Sequence, residues 1–301
     1  MTKKVLAKIK EIFPNAKEKE PLSFHCTFGV GGPADLFIET DDVSKAVSIC
    51  RSTGTRFIII GGGSNMLFSD KGFRGVVIKL SSKSITFSGS TVTAKAGVNL
   101  QFLIKECEKK GFYNLSLLGG IPGTLGGAVR GNAGWSDMEI SDVLRSAKIL
   151  DPTTGKIKKY DKKSLKFAYR SSLVKSDKLI VLEATLALSK AKKYKLLAAK
   201  FSEKRSTTQP YGMSAGSFFK NPSMTDPKKK AGYLIDQCGL KGKQIGGAKI
   251  SEKHANFIIN ASSKNGKKAT QKDILSLAKL AKKQVWKKFE IKLEEEVEII
   301  K

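Results

Sequence analysis

Seven of the sixteen residues from Gly119 to Gly134, GGIPGTLGGAVRGNAG, are glycine, where average usage would supply about one. Glycine permits positive φ and lets a ligand touch the main chain, at an entropic cost that a plain connector has no reason to carry. Exposed amides in such loops form concavities for anions, diphosphate above all, although tight turns in β-rich domains use glycine too. Gly61, Gly62 and Gly63, followed by Ser64 and Asn65, repeat the pattern after an apolar run. There, at a strand's C-terminal end, amides and a hydroxyl can cradle a diphosphate. No Gly-Lys-Ser/Thr follows, and the spacing of a dinucleotide βαβ fingerprint is missing. A flavin- or nucleotide-binding architecture of another kind is implied.

Three further groups could do chemistry. Arg170, in FAYRSS (167–172), is suited to grip a carboxylate or phosphate with two parallel hydrogen bonds, though an isolated arginine is more often a surface residue. Ser217 lies in SAGSFFKNP (214–222), where spacing alone reads it as a turn hydroxyl and Phe218 and Phe219 as core. Glu294, Glu295 and Glu296 are consecutive near the end of the chain. In an alternating strand the outer two share one face and Glu295 takes the other. His25 and Cys26 precede a glycine cluster without a partner motif and read as structural. Cys26, Cys50, Cys107 and Cys238 form no metal-ligand spacing, and the chain has only 2 histidines, so no metal site is expected and a reducing, cytoplasmic setting fits.

The charge is +28, from 55 basic and 27 acidic residues. Such a field favours polyanions, but the lysines are spread along the chain without a nucleic-acid-binding motif. A solvated lysine-rich surface explains them, and an anionic substrate would benefit from the same field. No specific nucleic-acid partner and no membrane insertion are expected, since no apolar run approaches the roughly 20 residues a spanning helix needs. The N-terminal stretch, with Val5, Leu6, Ile9, Ile12 and Phe13 at helical spacing, reads as a short amphipathic helix and not a signal peptide.

Elements must position these groups. The pattern predicts strands at 36–38, 56–60, 76–80, 91–96, 146–150, 179–188 and 256–260, and a closing strand over 291–300. It predicts helices over 41–51 and over 100–110, the latter ended by Gly111, and a lysine- and alanine-rich helical linker at 190–204 as a domain boundary. Thr270 and Asp273 resemble a capping box for a helix carrying Ile274, Leu277, Ala281 and Val285 on one face.

In order along the chain, TFGVGGPAD (27–35), GGGSNMLFSD (61–70), LLGGIPGTLGGAVRGNAG (117–134), YRSS (169–172), SAGSFFKNP (214–222), AGYLIDQCGLKGKQIGGAKISEKHANFIIN (231–260) and LEEEVEII (293–300) closely resemble the UDP-N-acetylenolpyruvoylglucosamine reductase (MurB) family. The short interval from Arg170 to Ser217 resembles its compact subtype, which lacks an inserted tyrosine loop. The resemblance implies an α+β chain with a vanillyl-alcohol-oxidase-type (PCMH-like) FAD-binding fold. Two α/β subdomains, 1–80 (joined by the strand 291–301) and 81–200, would hold non-covalent FAD, with a C-terminal α/β substrate domain at 201–290. NADPH would reduce the flavin and leave. The enolpyruvyl ether of UDP-N-acetylglucosamine would take its place and become UDP-N-acetylmuramate, a peptidoglycan precursor. That alternation agrees with the lack of a second nucleotide fingerprint.

The family pattern assigns catalytic roles to Arg170 (holding the enolate), Ser217 (proton donor) and Glu296 (assisting carboxylate). Hydride on the terminal carbon leaves negative charge at the carbon bearing the carboxylate, and fixed groups aimed at developing charge supply a large catalytic effect. Glu296 must carry a proton, or act through another group, to donate a hydrogen bond there. Cofactor contacts are expected at Gly61, Gly62, Gly63, Ser64, Asn65, Leu67, Gly119, Gly120, Pro122, Gly123, Thr124, Gly126, Gly127, Asn132, Ala133 and Gly134. Substrate contacts are expected at Tyr169, Lys220, Asn221 and His254. Gln209 stands where some relatives have a lysine near the diphosphate, so Arg205 or Lys220 would supply that charge. A monomer is expected. A flavin oxidase or dehydrogenase of the same fold would keep the glycine loops without needing YRSS, SAGSFFKNP and the terminal glutamate together. A basic nucleic-acid-binding protein would explain the charge and none of the loops.

Overall fold

The computed structural model describes residues 1–301 except 136–137, 262–265 and 267. The chain forms two compact units. One comprises Met1–Lys19, Asp35–Gly62 and Arg74–Arg205, the other Glu20–Ala34, Gly63–Phe73 and Ser206–Lys301. The unit boundary at Arg205 falls inside the helix Lys192–Thr208, which buries no residue fully.

The first unit contains two sheets. A four-stranded sheet has the order Lys17–Glu18, Ala34–Thr40, Phe73–Leu80, Phe57–Ile60, and its last pair is parallel with Ile58 opposite Val77. A five-stranded antiparallel sheet has the order Ile157–Asp161, Leu144–Leu150, Ile180–Ala187, Thr91–Lys95, Ile85–Ser88. Alternation sets its faces. Val92, Ala94, Ala147, Ala184 and Leu186 enter the core, while Thr93 and Thr185 share a hydrogen bond of 2.9 Å on the other face.

Two predicted helices close this core. Val43–Ser52 starts at Asp42, whose carboxylate accepts from the Lys45 N–H, and it buries Val43, Ala46, Val47 and Cys50. Leu100–Lys109 buries Leu100, Leu103, Ile104 and Cys107. Each fully buried aliphatic side chain is worth about 1.5–3 kcal/mol of transfer free energy. Gly111 follows at φ 79°, a left-handed position that ends the helix.

In the second unit the helix Gln271–Phe289 packs against the antiparallel sheet Gln244–Ile245, Ala248–Ile250, Ile258–Asn260. Phe28, Phe218, Phe219, Leu234, Ile274, Leu277 and Val285 form its core. Phe218 lies edge-on to Phe28 at 6.5 Å and to Phe219 at 5.1 Å.

Three elements differ from the pattern. The glycine stretch contains a helix, Leu125–Gly131, capped by Thr124. Met66–Phe68, inside the second glycine motif, is a short strand parallel to Glu298–Ile300. Only that end of the expected closing strand is a ladder. Glu294–Glu296 are committed elsewhere: the Lys220 N–H donates to the Glu294 carbonyl at 2.9 Å and the Glu296 N–H to the Phe218 carbonyl at 2.8 Å.

Among the described residues no helix is long and apolar enough to cross a membrane. The capping box of the last long helix is formed: Asp273 N–H donates to Thr270 Oγ1 at 3.1 Å, and Thr270 N–H to Asp273 Oδ2 at 3.1 Å. Thr270→Ala should lower unfolding free energy by about 1 kcal/mol, measured by denaturant titration. Its loss should add incompletely to that of Asp273→Ala, since both bonds belong to one cap.

Candidate active site

In the first unit the two glycine motifs meet main chain to main chain. A Cβ on Gly61 would lie 2.3 Å from Thr124 Oγ1, and one on Gly62 would lie 2.9 Å from Gly123 Cα. Gly126 is pressed the same way onto Ala96, whose Cβ would be 2.7 Å away. These glycines let segments of the chain itself approach, a packing reason beside the ligand-binding one. Gly120 and Gly123 sit at φ 76° and 113°, where a side chain would be strained. Thr124 caps the short helix, its hydroxyl accepting from the Gly127 N–H at 3.4 Å. Pro122 and Ala133 flank that helix, and the Ala133 N–H donates to the Ala128 carbonyl at 2.8 Å.

Asn132 ends the helix at φ 45°, left-handed, and is 1% exposed. Its amide donates to Glu139 Oε2 at 2.6 Å and to the Ala168 carbonyl at 3.1 Å, and its oxygen accepts from the Ser141 N–H at 3.3 Å. Asn132 thus ties the glycine helix to the loop that presents Arg170.

That loop is a tight turn. Ala168 and Ser171 exchange main-chain bonds of 3.1 and 3.0 Å around Tyr169 and Arg170. Ser172 Oγ anchors it by donating to the Arg130 carbonyl at 2.7 Å. Arg170 has φ 54°, a region a non-glycine residue occupies at a cost of about 1–3 kcal/mol, and such strain gathers at functional sites. Its guanidinium donates to the Gly134 carbonyl at 2.7 Å, lies 3.9 Å from Glu139 and stands 5.0 Å from the Tyr169 ring centroid. Asn132, Gly134, Tyr169 and Arg170 are therefore one local cluster.

In the second unit main-chain bonds join the segments that carry Ser217 and Glu296. Ser217 bridges Phe257, and Phe218 donates to the Asn256 carbonyl at 2.7 Å. The Phe218 carbonyl accepts from the Glu296 N–H at 2.8 Å and the Val297 N–H at 3.5 Å. Ser217 is thus one residue from the main-chain link to Glu296. Asn65 fixes the same segment, donating from its side chain to the Glu296 carbonyl at 3.0 Å and accepting from the Glu298 N–H at 3.0 Å. Leu67 is fully buried beneath it, and Ser64 is half-buried beside Asn65. Gly216, at φ 76°, has open space where a Cβ would stand.

Lys220 Nζ reaches Glu294 at 3.4 Å, and Asn221 Oδ1 accepts from the Ala231 N–H at 3.1 Å, at the start of the helix Ala231–Gln237. Glu295 takes the other direction, pairing with Lys282 at 2.9 Å. His254 accepts at Nδ1 from the Asn256 N–H at 3.2 Å, so the neutral ring carries its hydrogen on Nε2. Burial, and secondarily the charge of Lys241, hold its pKa below the ordinary imidazole value.

Two residues escaped the sequence reading. Asn256 is 2% exposed and clamps Phe219 on both sides, with its amide on the Phe219 carbonyl at 2.8 Å and its oxygen on the Phe219 N–H at 3.0 Å. Its place in a predicted strand hid that role. Thr27, in the TFGVGG motif, binds the Gly63 carbonyl through its N–H at 3.2 Å, while its buried Oγ1 has no hydrogen-bond partner among the described residues. A buried hydroxyl so placed lacks what a polar ligand supplies. With Gly63 beside it, the hydroxyl fits a site for a polar ligand such as FAD.

Among the described residues no cluster of metal-ligating side chains occurs. Cys50 and Cys107 are pushed up to about 12 by burial, which makes them packing groups and not nucleophiles. Cys26 donates to the Val30 carbonyl at 3.2 Å, and His25 pairs with Glu20 at 2.8 Å.

Two outcomes follow from this geometry. Asn132→Ala should destabilise the chain by about 3 kcal/mol, through three lost hydrogen bonds and a left-handed alanine, measured in denaturant. Since His254 titrates lower folded than unfolded, the unfolded chain binds the extra proton, and stability falls as pH drops below 6.5. His254→Gln should flatten that fall in midpoints measured from pH 7.5 to about 5.5, and an unchanged slope would exclude His254 as its source.

Residues 208–300 match the family model "UDP-N-acetylenolpyruvoylglucosamine reductase, C-terminal domain", and residues 38–161 match "FAD binding domain". The chain is 38% identical over 289 residues to the UDP-N-acetylenolpyruvoylglucosamine reductase of Alkaliphilus oremlandii, covering 93% of this chain and 92% of that one. It is 39% identical over 290 residues to that of Bacillus subtilis, with shares of 93% and 92%. The crystal structure of the Thermus caldophilus enzyme (MurB) superposes with a TM-score of 0.78 at 33% identity, covering 94% of this chain and 98% of that chain. Together these give the chain an FAD-binding domain followed by the C-terminal domain of the reductases. Similarity of this extent, from end to end, means common descent: the chain belongs to the UDP-N-acetylenolpyruvoylglucosamine reductase (MurB) family.

Proposed function

We infer that this chain is an FAD-containing, NADPH-dependent reductase of the enolpyruvyl ether of UDP-N-acetylglucosamine, forming UDP-N-acetylmuramate for peptidoglycan. The observation that supports the mechanism is the main-chain pairing that joins the segment of Ser217 to that of Glu296, through the Glu296 N–H on the Phe218 carbonyl at 2.8 Å. FAD, which the glycine motifs would hold non-covalently, would supply the hydride transfer from NADPH to the substrate's terminal alkene carbon.

The chain's own groups manage the rest. Arg170 stabilises the charge that develops next to the carboxylate, and its turn fixes the guanidinium before reaction, which is the condition for strong electrostatic catalysis. Ser217 delivers a proton to the carbon bearing the carboxylate. A hydroxyl is a weak acid, so its donation depends on neighbours, and Glu296, whose segment pairs with that of Ser217, is the assisting carboxyl group. Lys220, Asn221, Tyr169 and neutral His254, with Nε2–H as donor, contact the sugar nucleotide. Residues 1–80 with 291–301, and 81–200, hold FAD through the glycine motifs, and 201–290 hold the substrate. A cytoplasmic monomer without a specific nucleic-acid partner fits a sugar-nucleotide enzyme with 4 cysteines, all of them free.

Purified protein should be yellow, bleach with NADPH and regain its colour anaerobically with the enolpyruvyl substrate. A flavin oxidase would regain it with oxygen and ignore the sugar nucleotide. Ser217→Ala should leave reduction by NADPH intact and slow reoxidation by substrate about 10²–10⁴-fold. Equal loss in both half-reactions, followed by stopped-flow absorbance, would remove Ser217 from the proton-donor role.

A further inference from the structure

Glu139 belongs to none of the sequence motifs, yet the fold holds it at every point. Its main chain pairs with Gly134 in the two-stranded ladder of Gly134–Trp135 with Met138–Glu139, and its N–H donates to Asp142 Oδ2 at 2.8 Å. Its side-chain stem lies against Gly134, where a Cβ would stand 2.7 Å from Glu139 Cγ and 2.8 Å from Glu139 Cα. Oε2 accepts from the buried Asn132 amide at 2.6 Å. Oε1 stands 3.9 Å from Arg170 Nη1. That separation is too long for a hydrogen bond, so the carboxylate acts on the guanidinium by its charge. Gly134, expected as a cofactor contact, thereby has a reason inside the fold: it makes room for the Glu139 side chain, and its carbonyl accepts from Arg170 Nη2 at 2.7 Å.

An exposed ion pair is weak because two long side chains must be ordered to make it. Here Asn132 and Gly134 order the glutamate beforehand, so its charge arrives at Arg170 already aimed. We propose that Glu139 is a positioning residue of the reductase, orienting the Arg170 guanidinium toward the charge that develops beside the substrate's carboxylate. The proposal rests on the reductase reading above. The Gly134 carbonyl holds Nη2 and the Glu139 carboxylate draws Nη1, so the guanidinium plane is set from both of its terminal nitrogens. A cation fixed in this way need not reorganise as charge develops. Its orientation matters most where that charge is greatest, so Glu139 acts on the reaction rate more than on substrate binding.

Mixing the NADPH-reduced, FAD-loaded enzyme anaerobically with the enolpyruvyl substrate, followed by stopped-flow absorbance, reads the step in which Arg170 acts. Glu139→Gln keeps the shape of the side chain and an acceptor oxygen for Asn132 but removes the charge. It should slow reoxidation about 10–100-fold, while reduction by NADPH and the denaturant midpoint stay as in the unaltered enzyme. In an Arg170→Met background the same substitution should change reoxidation by less than about twofold, because its effect passes through the guanidinium. Equal slowing in both backgrounds, or no slowing in the unaltered one, overturns the proposal. A loss in both half-reactions with a lowered midpoint makes Glu139 a structural residue and overturns it too. If Glu139→Gln does not fold, Glu139→Asp, whose carboxylate is one methylene short, decides by the same comparison of backgrounds. If the substrate does not reoxidise the unaltered reduced enzyme, the reductase reading fails first and the proposal with it.

Discussion

Two main chains can touch only where side chains are missing, and the first unit depends on such a contact. Gly62 would place a Cβ 2.9 Å from Gly123 Cα, and Gly61 would place one 2.3 Å from Thr124 Oγ1. Gly123 Cα, a backbone atom, cannot yield as the end of a flexible side chain can. The loop after the parallel strand Phe57–Ile60 is therefore locked to the start of the helix Leu125–Gly131, and that helix is pressed onto Ala96. From its far end Asn132 reaches the Ala168 carbonyl, so the position of Arg170 follows from the approach of the glycines.

The second unit uses main-chain pairing for the same purpose. Residues 218–220 are bonded to 294–296, and Asn65 and Asn256 close the pairing from either side. Arg170 thus sits on a strained turn of the first unit, and Ser217 on a rigid strip of the second. Both supports are buried polar networks, costly if broken and well defined when complete. The +28 charge adds a field favourable to a sugar nucleotide, but the local cations are what distinguish one part of that anion from another.

Much of this was legible in the sequence, for physical reasons. Asp42 and the Thr270–Asp273 pair announced helix starts, and Gly111 announced a helix end, because caps depend on a few adjacent residues. The glycine motifs stood out by composition, and the family resemblance, not any local pattern, is what points to Arg170, Ser217 and Glu296. The helix inside Gly119–Gly134 did not stand out, since glycine is a poor helix former, and the close seat of Gly126 on Ala96 is a tertiary contact. Met66–Phe68 is three residues long, and its partner is the remote Glu298–Ile300, so no local pattern marks it. The left-handed φ of Arg170, the orphaned hydroxyl of Thr27 and the clamp of Asn256 are tertiary facts without a sequence period.

The central claim is that Arg170 is held ready for the carboxylate of the substrate. In a crystal structure of the FAD-loaded chain with UDP-N-acetylmuramate, the lactyl carboxylate should lie within about 3 Å of the Arg170 guanidinium, the distance of a charge-assisted hydrogen bond. A carboxylate bound elsewhere, with the Arg170 guanidinium still bonded to the Gly134 carbonyl alone, would contradict it.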